Sequence, residues 1–97
     1  MKVIFIDTVH PVLEERLRKS GFTCLDATHL SEKECVELIA DATGIVIRSR
    51  FEMNEAFLKN ATQLKFIARS GAGMENIDEA YCVEKNIQLF NFKTIFY

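Results

Sequence analysis

No apolar run in this sequence approaches the roughly 20 residues that a membrane-crossing helix requires. The opening run Val3-Ile4-Phe5-Ile6 is too short for a secretory leader, ends in Asp7, and is followed by no small-residue cleavage site. Cysteine is scarce. Cys24, Cys35 and Cys82 are an odd number at wide spacing, which fits neither a disulfide framework nor a zinc site. Buried thiols in a reducing cytoplasm are the expectation. His10 and His29 are too isolated to be metal ligands, and His10, just ahead of Pro11, reads as a helix-start residue. Neither sign of charge dominates: 12 basic against 14 acidic residues leave −2, with no general pull toward nucleic acid or a membrane. Repeats, linkers and low-complexity segments are absent as well. A chain of 97 residues fits one domain, residues 1–97, and leaves no room for a second.

What the sequence does contain is alternation. With 48% apolar residues it can build an ordinary core, and the apolar residues fall into five short runs separated by four helical patterns. The runs are residues 3–6, 22–25, 45–47, 64–68 and 87–90. The first is apolar on both faces, as in a strand covered on both sides. The second is weaker and fits an edge. Pro11 opens the first helix, with Leu13 and Leu17 inward and Gly21 as the left-handed stop. Ser31 and Glu34 have the spacing of a capping box, followed by Cys35, Leu38, Ile39 and Ala42 on one face and by Gly44 as terminator. Asn54 caps a short helix carrying Phe57, Leu58 and Ala61. Asp78 caps the last, with Tyr81 and Val83 among its apolar residues and Asn86 ending it. Strands and helices joined by such short loops demand a parallel sheet. The fold class expected is therefore α/β: a flavodoxin-like three-layer sandwich whose five-stranded parallel sheet has the order 2-1-3-4-5, with four helices.

In such a sheet ligands bind outside the carboxyl ends of the strands. Three polar segments fall there: Asp7-Thr8, Arg48-Ser49-Arg50, and the stretch from Arg69 through Ser70, Gly71, Ala72 and Gly73 to Met74. The proposed order makes the last two neighbours. Guanidinium forks beside a glycine-rich loop with free amides suit a small phosphate or carboxylate. Plain solvation of strand-end arginines, with glycines that only relieve a turn, explains the same residues. A dinucleotide fingerprint is excluded, because Asn76 stands where its third glycine belongs and too little chain follows for the rest of the unit. A phosphate-binding P-loop is absent. A phosphoacceptor domain of this fold needs an acidic pair after the first strand and an aspartate after the third. Asp7-Thr8 and Arg48-Ser49-Arg50 provide neither.

These residues also carry a likeness. The run 3–7, the run 44–50 and above all the block 64–78 resemble the D-isomer-specific 2-hydroxyacid dehydrogenases, most closely their phosphoglycerate branch in serine synthesis. The likeness runs in order from residue 1 to 91. It implies a substrate domain, separate in that family from the domain that binds NAD. It further implies that Arg48 and Arg50 face a substrate phosphate with Ser49 beside them. The amides of Ser70, Gly71, Ala72 and Gly73 would hold the carboxylate, while Asn76 and Asp78 fix the turn and cap the helix. In the family NAD takes the hydride from substrate C2 and a histidine takes the hydroxyl proton, through residues that lie beyond the point matched by Asn91. The expectation is a domain that grips a small anionic substrate, binds no cofactor itself and does not catalyse alone. A small-anion-binding or self-associating module without catalysis is the alternative.

Two departures stand out. Phe51 replaces the threonine usual after the Arg-Ser-Arg run, and the family's Ala-Pro continuation after Asn91 gives way to an apolar, aromatic segment, residues 92–97. Such a strand end is an adhesive edge. It leads one to expect self-association through the C-terminal strand and tail, with Phe92, Ile95, Phe96 and Tyr97 at the contact.

Overall fold

The computed structural model describes residues 1–71 and 73–92. The five strands are β1 (Lys2–Phe5), β2 (Thr23–Asp26), β3 (Gly44–Ile47), β4 (Phe66–Ser70) and β5 (Gln88–Phe92). All neighbours pair in parallel in the order β2-β1-β3-β4-β5, as the alternation required. The helices are α1 (Pro11–Lys19), α2 (Glu32–Leu38, continued by a 3-10 turn Ile39–Asp41), α3 (Glu55–Leu58) and α4 (Glu79–Glu84).

Each helix begins where its sequence offers an oxygen or nitrogen to the orphan amides of the first turn. The His10 imidazole accepts from Val12 N at 3.2 Å ahead of Pro11. Ser31 and Glu34 form the reciprocal box, at 3.2 Å and 2.9 Å. Hydrogen bonding to the Ser31 backbone amide and, second, to its hydroxyl holds the Glu34 carboxyl below the usual carboxylate range. Asn54 and Asp78 cap α3 and α4. Gly21 and Asn86 close α1 and α4 with φ of 95° and 60°.

Register places one residue from every strand in a single row: Leu25, Ile4, Ile45, Ile67 and Leu89. This row, with Ile6 and Ile47, faces α2, α3 and α4 and meets Cys35, Ile39, Phe57, Leu58 and Cys82. The opposite face carries Val3, Phe5, Cys24, Val46 and Ala68 under Leu13 and Leu17 of α1. That helix covers the β2-β1-β3 half. Over β4 and β5, among the described residues, the face stays open, and Phe66, Phe90 and Phe92 line a groove of about 470 Å³ with Phe22 at its far side. Phe22–Phe66 and Phe66–Phe90 meet edge to face at 6.1 Å and 6.2 Å.

Several local expectations change. Gly44 does not stop α2. It opens β3, where the Phe66 ring from β4 lies over its Cα and excludes any side chain. Val83 points outward, 72% exposed, because Cys82 is the α4 residue that faces the sheet. β4 continues through Arg69 and Ser70, and β5 through Asn91 and Phe92, paired Arg69 to Asn91 and Ser70 to Phe92. Polar side chains there hid the strand from an apolar count. The thiols of Cys24, Cys35 and Cys82 are free and buried, and burial, with Asp78 and Glu79 nearby, pushes Cys82 up to about 11. No helix among the described residues is long and apolar enough to cross a membrane.

Candidate functional site

The carboxyl ends of β3 and β4 do lie side by side, in register from Gly44↔Phe66 to Ile47↔Arg69. The polar segments that follow them therefore form one ledge. Its floor is Asp7, in the turn after β1. One oxygen of that carboxylate accepts from Arg48 N at 2.6 Å and Arg50 N at 3.2 Å. An acceptor shared by two successive-but-one amides bends the 48–50 segment sharply around it. The sequence marks Asp7 as a strand-end acid, but its role depends on β1 lying next to β3, which only the strand order shows.

The three arginines separate in the structure. Arg48 is exposed, with Ser49 exposed beside it. Arg50 is half-buried, and its guanidinium donates to Ile6 O at 3.1 Å, to Ala27 O at 3.0 Å and to Leu30 O. Phe51 stacks against that guanidinium at 4.6 Å from its ring centroid and leans on Phe57 at 5.7 Å. The aromatic residue that departs from the family pattern thus covers Arg50. Each bond from a charged donor contributes about 1.5–3 kcal/mol, so drawing Arg50 out toward a ligand forfeits several at once.

Arg69 is 8% exposed. Its Nε donates to Asn76 Oδ1 at 2.7 Å, and Glu75 stands 3.5 Å from its terminal nitrogen. Asn76, itself buried, donates from Nδ2 to Phe51 O at 2.9 Å. The two loops are further joined through the main chain, Met53 N to Asn76 O at 2.7 Å and Asp78 N to Met53 O at 2.9 Å, a parallel bridge between Met53 and Ile77. Asn76 is the central link of this brace. The resemblance implies a turn-fixing residue here; the cross-loop bonds to Phe51 and Arg69 come only with the fold.

The glycine segment is shaped by the same contacts. Ser70 is 4% exposed in β4. Gly71 has φ 138°, a conformation L side chains rarely adopt, and donates its amide to Phe92 O at 3.0 Å. Gly73 O accepts from Asn91 Nδ2 at 2.8 Å. Ala72 lies outside the described residues, as do Ile95, Phe96 and Tyr97 of the expected contact. The ledge thus brings together Arg48, Ser49, Gly71 and Gly73, while Arg50 and Arg69 are bonded beneath it. A dinucleotide does not fit these residues. Asn76 fills the third-glycine position with a bonded side chain, and the Gly71 amide is already committed.

The model of the family described as D-isomer specific 2-hydroxyacid dehydrogenase, catalytic domain, matches residues 3–96. A D-3-phosphoglycerate dehydrogenase of Methanocaldococcus jannaschii is 33% identical over 91 residues, covering 94% of this chain and 17% of the relative. One from Sus scrofa is 27% identical over 90 residues, covering 93% and 17%. Among solved structures, NAD+-bound 3-phosphoglycerate dehydrogenase of Entamoeba histolytica superposes with a TM-score of 0.80 at 28% identity, over 94% of this chain and 32% of that one. The chain spans about a sixth of the length of the curated relatives it matches, 17% in both cases.

Proposed function

Because the chain belongs to the D-isomer specific 2-hydroxyacid dehydrogenase family, we propose that it is a substrate-gripping domain of such an oxidoreductase, with D-3-phosphoglycerate of serine biosynthesis as the substrate. The observation that carries this reading is the ledge where the loops after β3 and β4 are braced together with Arg48 exposed upon it. Parallel α/β sheets bind ligands at that edge, and an exposed guanidinium beside main-chain amides complements phosphate and carboxylate oxygens. Arg48 and Ser49 take the phosphate end; the segment Ser70, Gly71, Ala72 and Gly73 takes the carboxylate end, with the Gly71 amide, bonded to Phe92 O, shaping the loop and not donating to the ligand. Arg50 stands behind Arg48. In the family NAD supplies the hydride acceptor, and this chain holds the substrate without binding the cofactor. Alone, in the cytoplasm, it has no dehydrogenase activity.

Titration of the isotopically labelled protein with 3-phosphoglycerate tests this directly. The amide signals of Arg48, Ser49 and the 70–73 segment should move together and saturate. Signals that stay fixed at all of these positions, up to millimolar ligand, would sink substrate binding by this domain.

One observation favours a second property: the aromatic groove over β4 and β5, next to the outer edge of β5, which has no partner strand among the described residues. A strand edge with free amides and carbonyls pairs readily with another strand, and an identical β5 meets it self-complementarily about a two-fold axis. We propose that a second copy of the chain takes this edge, with Phe92 at the contact and Phe90, 48% exposed, beside it. Sedimentation should show a dimer growing with concentration, and Phe90→Glu should return it to monomer. A native chain that remains monomeric at high concentration refutes the contact.

A further inference from the structure

We propose that Arg50 is a positioning residue that locks the anion-binding ledge and does not itself meet the ligand, which leaves Arg48, placed at the phosphate end above, as the arginine of the pair that does. The inference rests on the substrate-gripping reading above and refines it. It assigns the two arginines of one short motif to different work.

Ile6 O, Ala27 O and Leu30 O converge on the Arg50 guanidinium. Three carbonyl dipoles directing their negative ends at one point attract a cation and repel an anion. Asp7 adds a carboxylate beneath the Arg50 amide. A phosphate approaching Arg50 therefore meets N–H groups already committed to carbonyls and oxygens that oppose it. Phe51 covers a face of the guanidinium besides. Arg48 shares the Asp7 anchor through its amide but leaves its side chain exposed.

The three carbonyls also lie on separate segments. Ile6 follows β1, while Ala27 and Leu30 belong to the connection from β2 to α2. One planar fork ties the loop after β3 to both. Arginine suits this because its five N–H groups point in fixed directions. Lysine carries the same charge on a single nitrogen and cannot span the three oxygens. The position therefore depends on the shape of the group and not on its charge alone.

The two roles predict different outcomes when affinities for 3-phosphoglycerate and D-glycerate are measured in the full chain by amide shifts. If Arg50 positions the ledge, Arg50→Ala weakens both ligands by a common factor of about tenfold, so their ratio stays constant, and Arg50→Lys does not rescue. Arg48→Ala collapses the ratio. A ratio that collapses in Arg50→Ala and is restored in Arg50→Lys overturns the proposal. A second measurement needs no ligand and stands even if the native chain binds neither compound. The Arg50 side-chain N–H signals should be resolved and slow to exchange, and the Leu30 region should lose amide protection in Arg50→Lys. Rapidly averaged Arg50 signals, or unchanged protection in that variant, count against the clamp whatever becomes of the substrate assignment.

Discussion

Replacing Ile45 by alanine should cost about 2–5 kcal/mol, the range for removing most of a buried aliphatic side chain from a packed core. Ile45 is fully buried on the central strand, between Ile4 and Ile67 in the row that crosses the sheet. Strands on both sides hold its neighbours in place, so the space left behind cannot collapse easily. Small domains have only about 5–15 kcal/mol of stability in all, and at this size each kcal/mol moves the melting temperature by roughly 4–8 °C. Thermal unfolding of Ile45→Ala should therefore begin well below that of the native chain. Val83→Ala is the natural control: a side chain 72% exposed should stay within about 0.5 kcal/mol. Equal melting temperatures for the two variants would mean that the described core is wrong at its centre.

The second large effect is expected at Asn76. Alanine there removes the acceptor for Arg69 Nε and the donor to Phe51 O at once. One of those bonds involves a charged group, and Arg69 is 8% exposed, so about 2–4 kcal/mol should be lost. The loss should be local as well as global. Amide exchange at Met53 and Asp78, which bond across the two loops, should accelerate more than exchange in β1. Asn76→Asp keeps the acceptor for Arg69 while giving up the donor to Phe51, and should fall between the native chain and Asn76→Ala. A near-neutral Asn76→Ala would show that the loops are held by their backbone bridge alone.

These two positions differ in how visible they are before the fold is known. Ile45 belongs to an apolar run whose period and company announce a buried strand. Asn76 looks like any residue ahead of a helix cap. Its importance comes from Phe51, 25 residues away, and from a guanidinium whose direction depends on β4 continuing past the apolar run. The same contrast separates the arginines. Arg48 and Arg50 are two residues apart and look equivalent in the sequence. Their amides share one Asp7 oxygen, which turns one side chain to solvent and the other inward.

The local chemistry of the chain was enough for the number and kind of its secondary elements, the caps that begin its helices, and the parallel order of the sheet, though not for where α2, β4 and β5 end. Those follow from short-range rules: apolar period, orphan amides at helix starts, and connections too short for anything but right-handed crossovers. The likeness in the block 64–78 was sufficient for the family. Which polar side chains on the ledge face a ligand, and which are tied down beneath it, could not be read that way. That outcome depends on carbonyls and carboxylates contributed by β1 and by the β2–α2 connection, segments distant in sequence that meet the loop only once the sheet has assembled. The aromatic groove has the same origin, because Phe22, Phe66, Phe90 and Phe92 come from separate segments that meet only in the assembled sheet.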